Sequence, residues 1–241
     1  VVLQQVVGRR HEHYVYPDVA GVARSTDFYP QPGMAPEDGV VCAALGLGRT
    51  VVEGGNALRF NPQKPRNLVH FGTIDDWLKG SQREFLAVDL SHAEAYPQVS
   101  ETYNVASLDL ADAERHGTLA PIGSTYLPEN HAIVDGIGRP GPRVISFAHV
   151  LKGGFFPLAD IMHFLLELGR NCMSAPVEIE WAVTLSEQPD EPHRFGFLQI
   201  RPLATAIDGQ RLEPDDLVGD DVLISTEVAL GNGLYEDLHD V

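Results

Sequence analysis

The sequence predicts an α+β fold in which a mostly antiparallel sheet is flanked by helices. Residues 177–184 and 195–201 are rich in β-forming residues, and the loop between them is polar and carries Pro189 and Pro192, a pattern typical of an antiparallel hairpin. Residues 157–173 have the apolar spacing of an amphipathic helix. The 23 glycines and 17 prolines predict many turns between such elements.

The first part of the chain predicts strands. β-Branched and apolar residues predict strands at 1–7, 19–25 and 39–45, which we expect to be successive strands of one sheet, and a further short strand at 58–60. Gly21, inside the second of these segments, predicts a close approach of two backbones.

The middle of the chain gives weaker signals. Helical spacing of apolar residues predicts a helix over 74–90, and a helical turn is expected near 110–114. Residues 143–151 alternate like a strand. After Pro202 the apolar residues show no clear strand or helix spacing until 222–230.

Composition excludes several classes of protein. The net charge is −17, so the chain is expected to repel nucleic acids and anionic membranes. There is no run of about 18 apolar residues to form a transmembrane helix. Cys42 and Cys172 are predicted to be buried free thiols in a reducing compartment, which points to a cytoplasmic protein.

The predicted hairpin has one polar face. Because side chains alternate across a strand, Glu178 and Glu180 share a face, as do Gln199 and Arg201 on the second strand. The opposite face is apolar and consists of Val177, Ile179, Trp181, Val183, Leu198 and Ile200. If the apolar faces are buried together, the four polar side chains converge on one surface.

This polar set has the chemistry of a magnesium–triphosphate site. Carboxylate and amide oxygens suit Mg²⁺, which needs few protein ligands when it also binds phosphates. Arg201 can bind phosphate through two parallel hydrogen bonds. The alternative is a half-exposed sheet whose charges are only solvated, and the pattern alone does not decide between the two.

A glycine-rich segment, 46–55, follows the third predicted strand. It lacks the Gly-Lys-Ser/Thr of a P-loop and the spacing of a dinucleotide-binding fingerprint. Taken alone, it is most simply a tight turn between a strand and a helix.

The hairpin also resembles a known family. Glu178-Ile179-Glu180-Trp181 followed by Leu198-Gln199-Ile200-Arg201-Pro202 resembles the close of the ATP-grasp domain of phosphoenolpyruvate synthase and pyruvate phosphate dikinase. Three earlier segments also resemble that family, and they occur in the same order: Gln5-x-Val7, Gly21-Val22-Ala23, and Ala44 to Gly48 with Val51, Val52 and Gly54. The resemblance implies that 1–202 is the C-terminal part of an ATP-grasp nucleotide-binding domain. Residues 61–140 would be an insertion, and 203–241 a linker or the start of a following region.

The resemblance also implies roles for individual residues. Glu180 and Gln199 would ligate the Mg²⁺ on ATP, and Arg201 would contact phosphate as the catalytic residue. Glu178 would lie beside the nucleotide, and Gln5 would lie on the adenine side. Glu53 is a candidate for binding the ribose, or else a surface carboxylate. Arg49 departs from the family, which commonly has an acidic residue there.

The implied function is phosphoryl transfer from Mg-ATP to a histidine on another domain and then to pyruvate, giving phosphoenolpyruvate. The chain opens at Val1 without Met and resembles a fragment, so we expect it to be inactive alone. Alternatives are a non-catalytic nucleotide-binding or regulatory module, or a dikinase acting on another acceptor such as a glucan or an antibiotic. His11 and His13 form a His-x-His pair that could bind metal but has no evident third ligand.

Overall fold

The computed structural model describes residues 4–68, 72–91, 103–186, 188, 190–203 and 222. Within these residues the chain forms twelve strands and five α-helices. The strands are β1 (Arg9–His11), β2 (Tyr14–Tyr16), β3 (Val19–Arg24), β4 (Val40–Ala44), β5 (Leu58–Phe60), β6 (Glu84–Asp89), β7 (Val105–Asp109), β8 (Gly123–Leu127), β9 (Ala132–Asp135), β10 (Arg143–Ile145), β11 (Val177–Thr184) and β12 (Arg194–Pro202). The helices are α1 (Arg49–Val52), α2 (Ile74–Gly80), α3 (Leu110–Arg115), α4 (Ala148–Leu151) and α5 (Leu158–Met173).

The strands form three antiparallel sheets. The largest has five strands in the order β12-β11-β3-β4-β5, so the C-terminal hairpin pairs with a strand from the start of the chain. The second sheet has the order β1-β2-β6-β7, and the third has the order β10-β8-β9. These antiparallel sheets with separate helices confirm the predicted α+β class.

Helix α5 covers one face of the five-stranded sheet. A Cβ atom added at Gly169 would meet the side chains of Val177, Ile179 and Ile200, so the missing side chain lets the helix approach β11 and β12 closely. Val177 and Ile179 have no exposed surface. Because α5 occupies this apolar face, the charged residues of β11 are left on the opposite face.

The close approach predicted at Gly21 is confirmed. Gly21 pairs with Trp181 on one side and with Ala43 on the other. A Cβ atom at this position would overlap the carbonyl oxygen of Cys42 and press on the Trp181 ring. Glycine therefore permits the sheet to form at this point.

Most of the predicted strands and helices are observed. The strands at 19–25, 39–45, 58–60, 177–184 and 195–201 correspond to β3, β4, β5, β11 and β12. The helical turn near 110–114 is α3, and the helix at 157–173 is α5, which begins after Pro157.

Three predictions of element type were wrong in part. The first predicted strand, 1–7, is not a strand over its described residues 4–7. The helix predicted over 74–90 ends at Gly80, and 84–89 form β6, whose Phe85 and Ala87 alternate into the core. The strand predicted over 143–151 ends at Ile145, because Phe147 adopts a left-handed conformation and is the N-cap of α4, which begins at Ala148.

The middle of the chain shares the main core. Phe85, Leu108, Leu119 and Ile122 belong to the same buried cluster as Ile179 on the large sheet. Gln82 strengthens this connection, because its side-chain amide bonds both the backbone N–H and the carbonyl of Leu45, at 2.8 and 2.9 Å. Of 203–241, only Leu203 and Val222 lie within the described residues.

Both cysteines are free thiols, as predicted. Cys42 is half-buried and Cys172 is exposed on α5, so the expectation that both are buried was wrong. In the described part of the chain, no helix combines the length and the apolar character needed to cross a bilayer.

Candidate functional site

The polar face of the hairpin forms as the alternation of its side chains predicted. Glu178 lies opposite Arg201, and Glu180 lies opposite Gln199, in the antiparallel register of β11 and β12. On its other side β11 pairs with β3, which places Arg24 opposite Glu178 and Val22 opposite Glu180. The sheet therefore brings the four predicted polar residues together on the face that α5 leaves uncovered.

A β-bulge lies directly beside this face. The register shifts between Glu180 and Trp181, whose partners are Gln199 and Phe197, so Leu198 is an extra residue in β12. Leu198 lines a cavity together with Glu180, whereas the alternation had assigned it to the apolar face. Bulges commonly redirect side chains next to binding sites, and here one places the extra residue Leu198 in the lining of the cavity beside Glu180.

Glu178 is held between two arginines. Its Oε2 accepts a hydrogen bond of 2.6 Å from Arg24 Nε, and its Oε1 accepts hydrogen bonds from Arg201, including one of 2.8 Å from Nε. Only 4% of Glu178 is exposed. Burial would raise the pKa of Glu178, but the hydrogen bonds from Arg24 and Arg201 outweigh it and lower the pKa below its usual value. Glu178 therefore stays ionised and fixes both guanidinium groups.

Glu180 has no such partners. Within the described residues, neither Glu180 nor Gln199 makes a side-chain hydrogen bond or an ion pair. Glu180 is half-buried and Gln199 is exposed. These two cross-strand neighbours thus present a carboxylate and an amide that are available to a ligand.

Two adjoining cavities open on this face of the sheet. The Glu180 cavity has a volume of about 510 Å³ and is lined by Gly21, Val22, Gly48, Arg49, Val52, Glu53, Glu180, Trp181 and Leu198. The Glu178 cavity, of about 260 Å³, is lined by Val22, Arg24, Thr26, Asp27, Phe28, Tyr29, Val40, Cys42, Val51, Val52, Arg59, Glu178 and Arg201. Val22 and Val52 line both cavities, so the two are neighbours.

The glycine-rich segment provides one wall of the Glu180 cavity. It ends β4 and turns into the short helix α1, which carries Arg49 and is followed by Glu53. Arg49 Nε lies 2.6 Å from Glu53 Oε1. The candidate ribose ligand Glu53 therefore lies in the same cavity as Glu180 but is already paired with a cation.

Gln5 lies apart from the other candidates. It is exposed and lines a separate cavity of about 190 Å³ with Thr184, Phe195 and residues of the hairpin loop. The neighbouring Gln4, and not Gln5, reaches β12, with its Nε2 3.2 Å from the carbonyl oxygen of Leu198.

A family comparison bears on this geometry. The family model described as the AMP/ATP-binding domain of pyruvate phosphate dikinase matches residues 1–217. The chain belongs to this family. A comparison with curated proteins gave no match. As a pyruvate phosphate dikinase AMP/ATP-binding domain, the chain has a nucleotide as its ligand, and the family is one of dikinase phosphotransferases.

The residues of this AMP/ATP-binding domain fit a magnesium ion shared with a nucleotide. The described residues contain no group of three or more histidine, cysteine or acidic side chains that could hold a metal by themselves. Glu180 and Gln199 offer two hard oxygen ligands, and Mg²⁺ completes its shell with phosphate oxygens and water. A metal held partly by the nucleotide needs no larger protein ligand set.

Sequence reasoning missed Arg24 and the pair of Asp27 and Arg59. Arg24 donates to one carboxylate oxygen of Glu178, and Arg59 forms an ion pair with the buried Asp27, which also lines the Glu178 cavity. One signal was available for Arg24, because it is the only charged residue in the strand predicted at 19–25.

His11 and His13 do not form a metal site in the described structure. The ring of His11 stacks on His116 with 4.8 Å between centroids. His116 Nδ1 lies 2.8 Å from the hydroxyl of Tyr16, which is also 3.1 Å from Thr118 Oγ1. This cluster is part of the packing between β1, β2 and α3.

Proposed function

We propose that this chain provides the metal and phosphate wall of a Mg-ATP site in a dikinase-type phosphotransferase. The observation that carries the proposal is the contrast along one strand face of β11. Among the described residues, no group bonds the side-chain oxygens of Glu180 and its partner Gln199, while Glu178 holds Arg201 and Arg24 in place. The family to which the chain belongs supports a nucleotide as the ligand.

In this proposal each polar residue has one task. Glu180 and Gln199 hold the Mg²⁺ that neutralises the nucleotide phosphates. Arg201 donates to phosphate oxygens through the nitrogen that Glu178 leaves unused, and it stabilises the charge that develops in transfer. Glu178 positions Arg201 without contacting the nucleotide. Glu53 binds the ribose, and Gln5 lies on the adenine side.

The phosphoryl group would move from Mg-ATP to a histidine on another domain and then to pyruvate. In this proposal, residues 1–202 form the ATP-grasp nucleotide-binding part, and 61–140 are an insertion whose described residues Phe85 and Leu108 belong to the main core. In such transfer the protein chiefly positions the phosphates and neutralises their charge. The polar face of the hairpin supplies both contributions.

A non-catalytic nucleotide-binding module is the second candidate, and Arg49 favours it. Arg49 lines the Glu180 cavity together with the proposed metal ligand. The positive charge of Arg49 offsets part of the negative charge of Glu53 and Glu180, so the cavity attracts a divalent cation less strongly than two free carboxylates would. A nucleotide bound with little or no Mg²⁺ would suit this arrangement.

Calorimetric titration of Mg-ATP into the full-length protein tests the proposal. We expect Glu180→Gln and Arg201→Met each to weaken binding by about tenfold or more, or about 1.4 kcal/mol. Glu167→Gln is the matched control, because Glu167 is exposed on α5 on the other side of the sheet. Affinity that is unchanged in both site variants would rule out this site. If the wild type binds ATP equally well with and without Mg²⁺, the result would favour the non-catalytic module.

A further inference from the structure

One buried side chain from the middle of the chain, Gln82, holds the start of the glycine-rich segment. Gln82 precedes β6 and is only 4% exposed. Its Oε1 accepts a hydrogen bond of 2.8 Å from the backbone N–H of Leu45, and its Nε2 donates one of 2.9 Å to the carbonyl oxygen of Leu45. Both polar atoms of the side chain are therefore used on one residue, which they fix as a paired strand would.

The next two residues of the segment are held by β6 itself. Gly46 has a φ of +83°, and a Cβ atom at this position would lie 2.6 Å from the carbonyl oxygen of Leu86 and 2.9 Å from the ring of Phe85. Leu47 donates its N–H to the same carbonyl oxygen of Leu86 at 2.9 Å. Residues 45–47 thus rest on 82–86, and a glycine is required where the chain turns.

The turn leads directly into one wall of the Glu180 cavity. Four of the next six residues, 48–53, line that cavity, and the last of them is the candidate ribose ligand Glu53. Helix α1 within this wall has only four residues, and its N-cap is Gly48, which has no side chain to bond the first turn. A helix this short is not stable by itself. The position of Glu53 therefore depends on how the turn before α1 is held.

Gln82 is anchored in turn through Ser81, its neighbour in the chain. The Ser81 hydroxyl accepts a hydrogen bond of 2.9 Å from the N–H of Ile145 on β10 and lies 3.3 Å from the carbonyl oxygen of the same residue. Asn56, which follows the glycine-rich segment, places its Nδ2 3.4 Å from the carbonyl oxygen of Ser81. Residues 81 and 82 thus contact both ends of the segment and tie it to another sheet.

We propose that Gln82 is a positioning residue for the nucleotide. It acts through Leu45 and the glycine-rich segment, and it sets where Glu53 meets the ribose. Gln82 does not itself line the Glu180 cavity in the described structure, so it acts without touching a ligand bound there. The proposal rests on the proposed Mg-ATP function, and it gives the 61–140 insertion a task in nucleotide binding that the family resemblance does not assign.

The metal and phosphate ligands are held by other contacts. Glu180, Gln199 and Arg201 lie on β11 and β12, and Glu178 rather than Gln82 fixes Arg201. A ligand that has phosphates but no ribose should therefore be insensitive to Gln82. If Gln82 were only a core contact, its removal would lower stability and would affect ligands with and without ribose alike.

Calorimetric titration of the full-length protein compares Mg-ATP with inorganic triphosphate in the presence of Mg²⁺. Gln82→Met keeps an unbranched side chain but loses the donor to Leu45. We expect it to weaken Mg-ATP binding by about 5–10-fold and triphosphate binding by less than about twofold. Glu53→Gln should show the same preference between the two ligands. Adding Gln82→Met to Glu53→Gln should weaken Mg-ATP binding by less than a further factor of about two, because the two residues act as one unit.

Thr118→Val is the matched control. Thr118 has no exposed surface, and its hydroxyl lies 3.2 Å from the carbonyl oxygen of Ala113, so the variant loses a buried hydrogen bond outside the glycine-rich segment. Its affinities for both ligands should equal those of the wild type. If Gln82→Met does not fold, Gln82→Asn decides, because it keeps an amide beside Leu45 that is one methylene too short to pair with both backbone groups.

Three results would each overturn the role of Gln82: wild-type affinity of Gln82→Met for Mg-ATP, equal weakening of both ligands, or effects of Gln82→Met and Glu53→Gln that multiply in full. An Mg-ATP affinity that Glu53→Gln leaves unchanged would overturn it too, since Gln82 would then have no ribose ligand to position. The Mg-ATP site itself is tested by Glu180→Gln and Arg201→Met, which should weaken both ligands whatever Gln82 does. The two proposals therefore fail on different variants.

Discussion

Glu178 and Glu180 lie two residues apart on one face of one strand, yet their surroundings differ completely. Glu178 is almost entirely buried and gives both oxygens to Arg24 and Arg201. Glu180 lines an open cavity and has no hydrogen-bonding partner among the described residues. Identical residue types on an identical face thus have different environments. The neighbouring strand makes the difference, because β3 places Arg24 opposite Glu178 and Val22 opposite Glu180.

The same contrast extends to the cavities. The Glu178 cavity has an excess of arginines, whereas the Glu180 cavity contains Arg49 against Glu53 and Glu180 and so has an excess of carboxylates. The first is suited to anions and the second to a cation. A magnesium nucleotide requires both kinds of surface side by side.

Stability should separate the two glutamates most strongly. We expect Glu178→Gln to lower the free energy of unfolding by about 1–3 kcal/mol, because it leaves two guanidinium groups beside a buried neutral amide. Glu180→Gln should change it by less than about 0.5 kcal/mol, because Glu180 has no hydrogen-bonding partner within the described part of the chain. Urea denaturation of both variants measures the difference. Equal losses would mean that Glu178 is not the structural member of the pair.

The pH dependence of the free energy of unfolding on the acid side should also separate Glu178 from Glu180. The contribution of His11 must first be removed, because His11 titrates in the same range. Burial, with the nearby His116 and Arg9, lowers the pKa of His11 from 6.5 to about 4. The unfolded chain then binds more protons between these values, so stability falls as the pH drops from about 6.5 to about 4. We expect His11→Phe to remove about 1–2 kcal/mol of this fall, after allowing for the partial exposure of His11. A curve that His11→Phe leaves unchanged would contradict the assignment.

Glu178 acts at still lower pH. Its pKa is below the usual 4.5, so its contribution is present above pH 4.5 and is lost as the pH falls through the lowered value. In a His11→Phe background, we therefore expect Glu178→Gln to flatten the stability curve below about pH 4.5, with Glu180→Gln as the comparison that keeps the slope. Denaturation at a series of acid pH values detects the change in slope. The same slope in both variants would show that the arginines do not hold Glu178.

Gln199 should matter to the metal and not to the fold. We expect Gln199→Leu to weaken Mn²⁺ binding in the presence of ATP by about 3–10-fold, because one oxygen ligand is lost. Stability should remain within about 0.5 kcal/mol of the wild type, since Gln199 is exposed. Electron paramagnetic resonance of free Mn²⁺ gives the affinity. Glu167→Gln, exposed on α5 on the other side of the sheet, is the control.

Arg49 gives the smallest expected effect. Arg49→Met removes a positive charge from the Glu180 cavity and should strengthen Mn²⁺ binding by about 2–5-fold at low salt, with a smaller gain at high salt. The same resonance titration, repeated at two ionic strengths, checks this. Weaker Mn²⁺ binding would show instead that Arg49 contributes to the ligand site, for example by holding the nucleotide phosphates.

The sequence predicted the hairpin well because alternation is strictly local. Glu178, Glu180, Gln199 and Arg201 follow the period of a strand, so their shared face is readable without knowing the fold. The helix predicted over 74–90 was too long because Phe85, Leu86 and Leu90 continue the helical spacing by coincidence. The helix ends at Gly80, with Ser81 as its C-cap, and 84–89 form a strand of the second sheet. Tertiary pairing decides such segments, and a single sequence does not contain it in readable form.

The environment of each glutamate was beyond prediction for the same reason. Arg24 lies 154 residues from Glu178 in the chain and meets it only because β3 pairs with β11. The bulge at Leu198 likewise depends on how β12 fits its partner. Motif positions therefore gave the candidate residues, and sheet pairing then distinguished the glutamate that supports the arginines from the one left open to a ligand.

Paramagnetic broadening by Mn-ATP tests the central claim most directly. In an NMR spectrum of the isotope-labelled chain with substoichiometric Mn²⁺ and excess ATP, signals of Glu180, Gln199 and Gly48 should broaden first. Those of His11 and Thr118, which belong to the cluster around Tyr16, should be affected last, because no ligand is proposed there. Early broadening at His11 and Thr118, with Glu180 and Gln199 unaffected, would contradict the account.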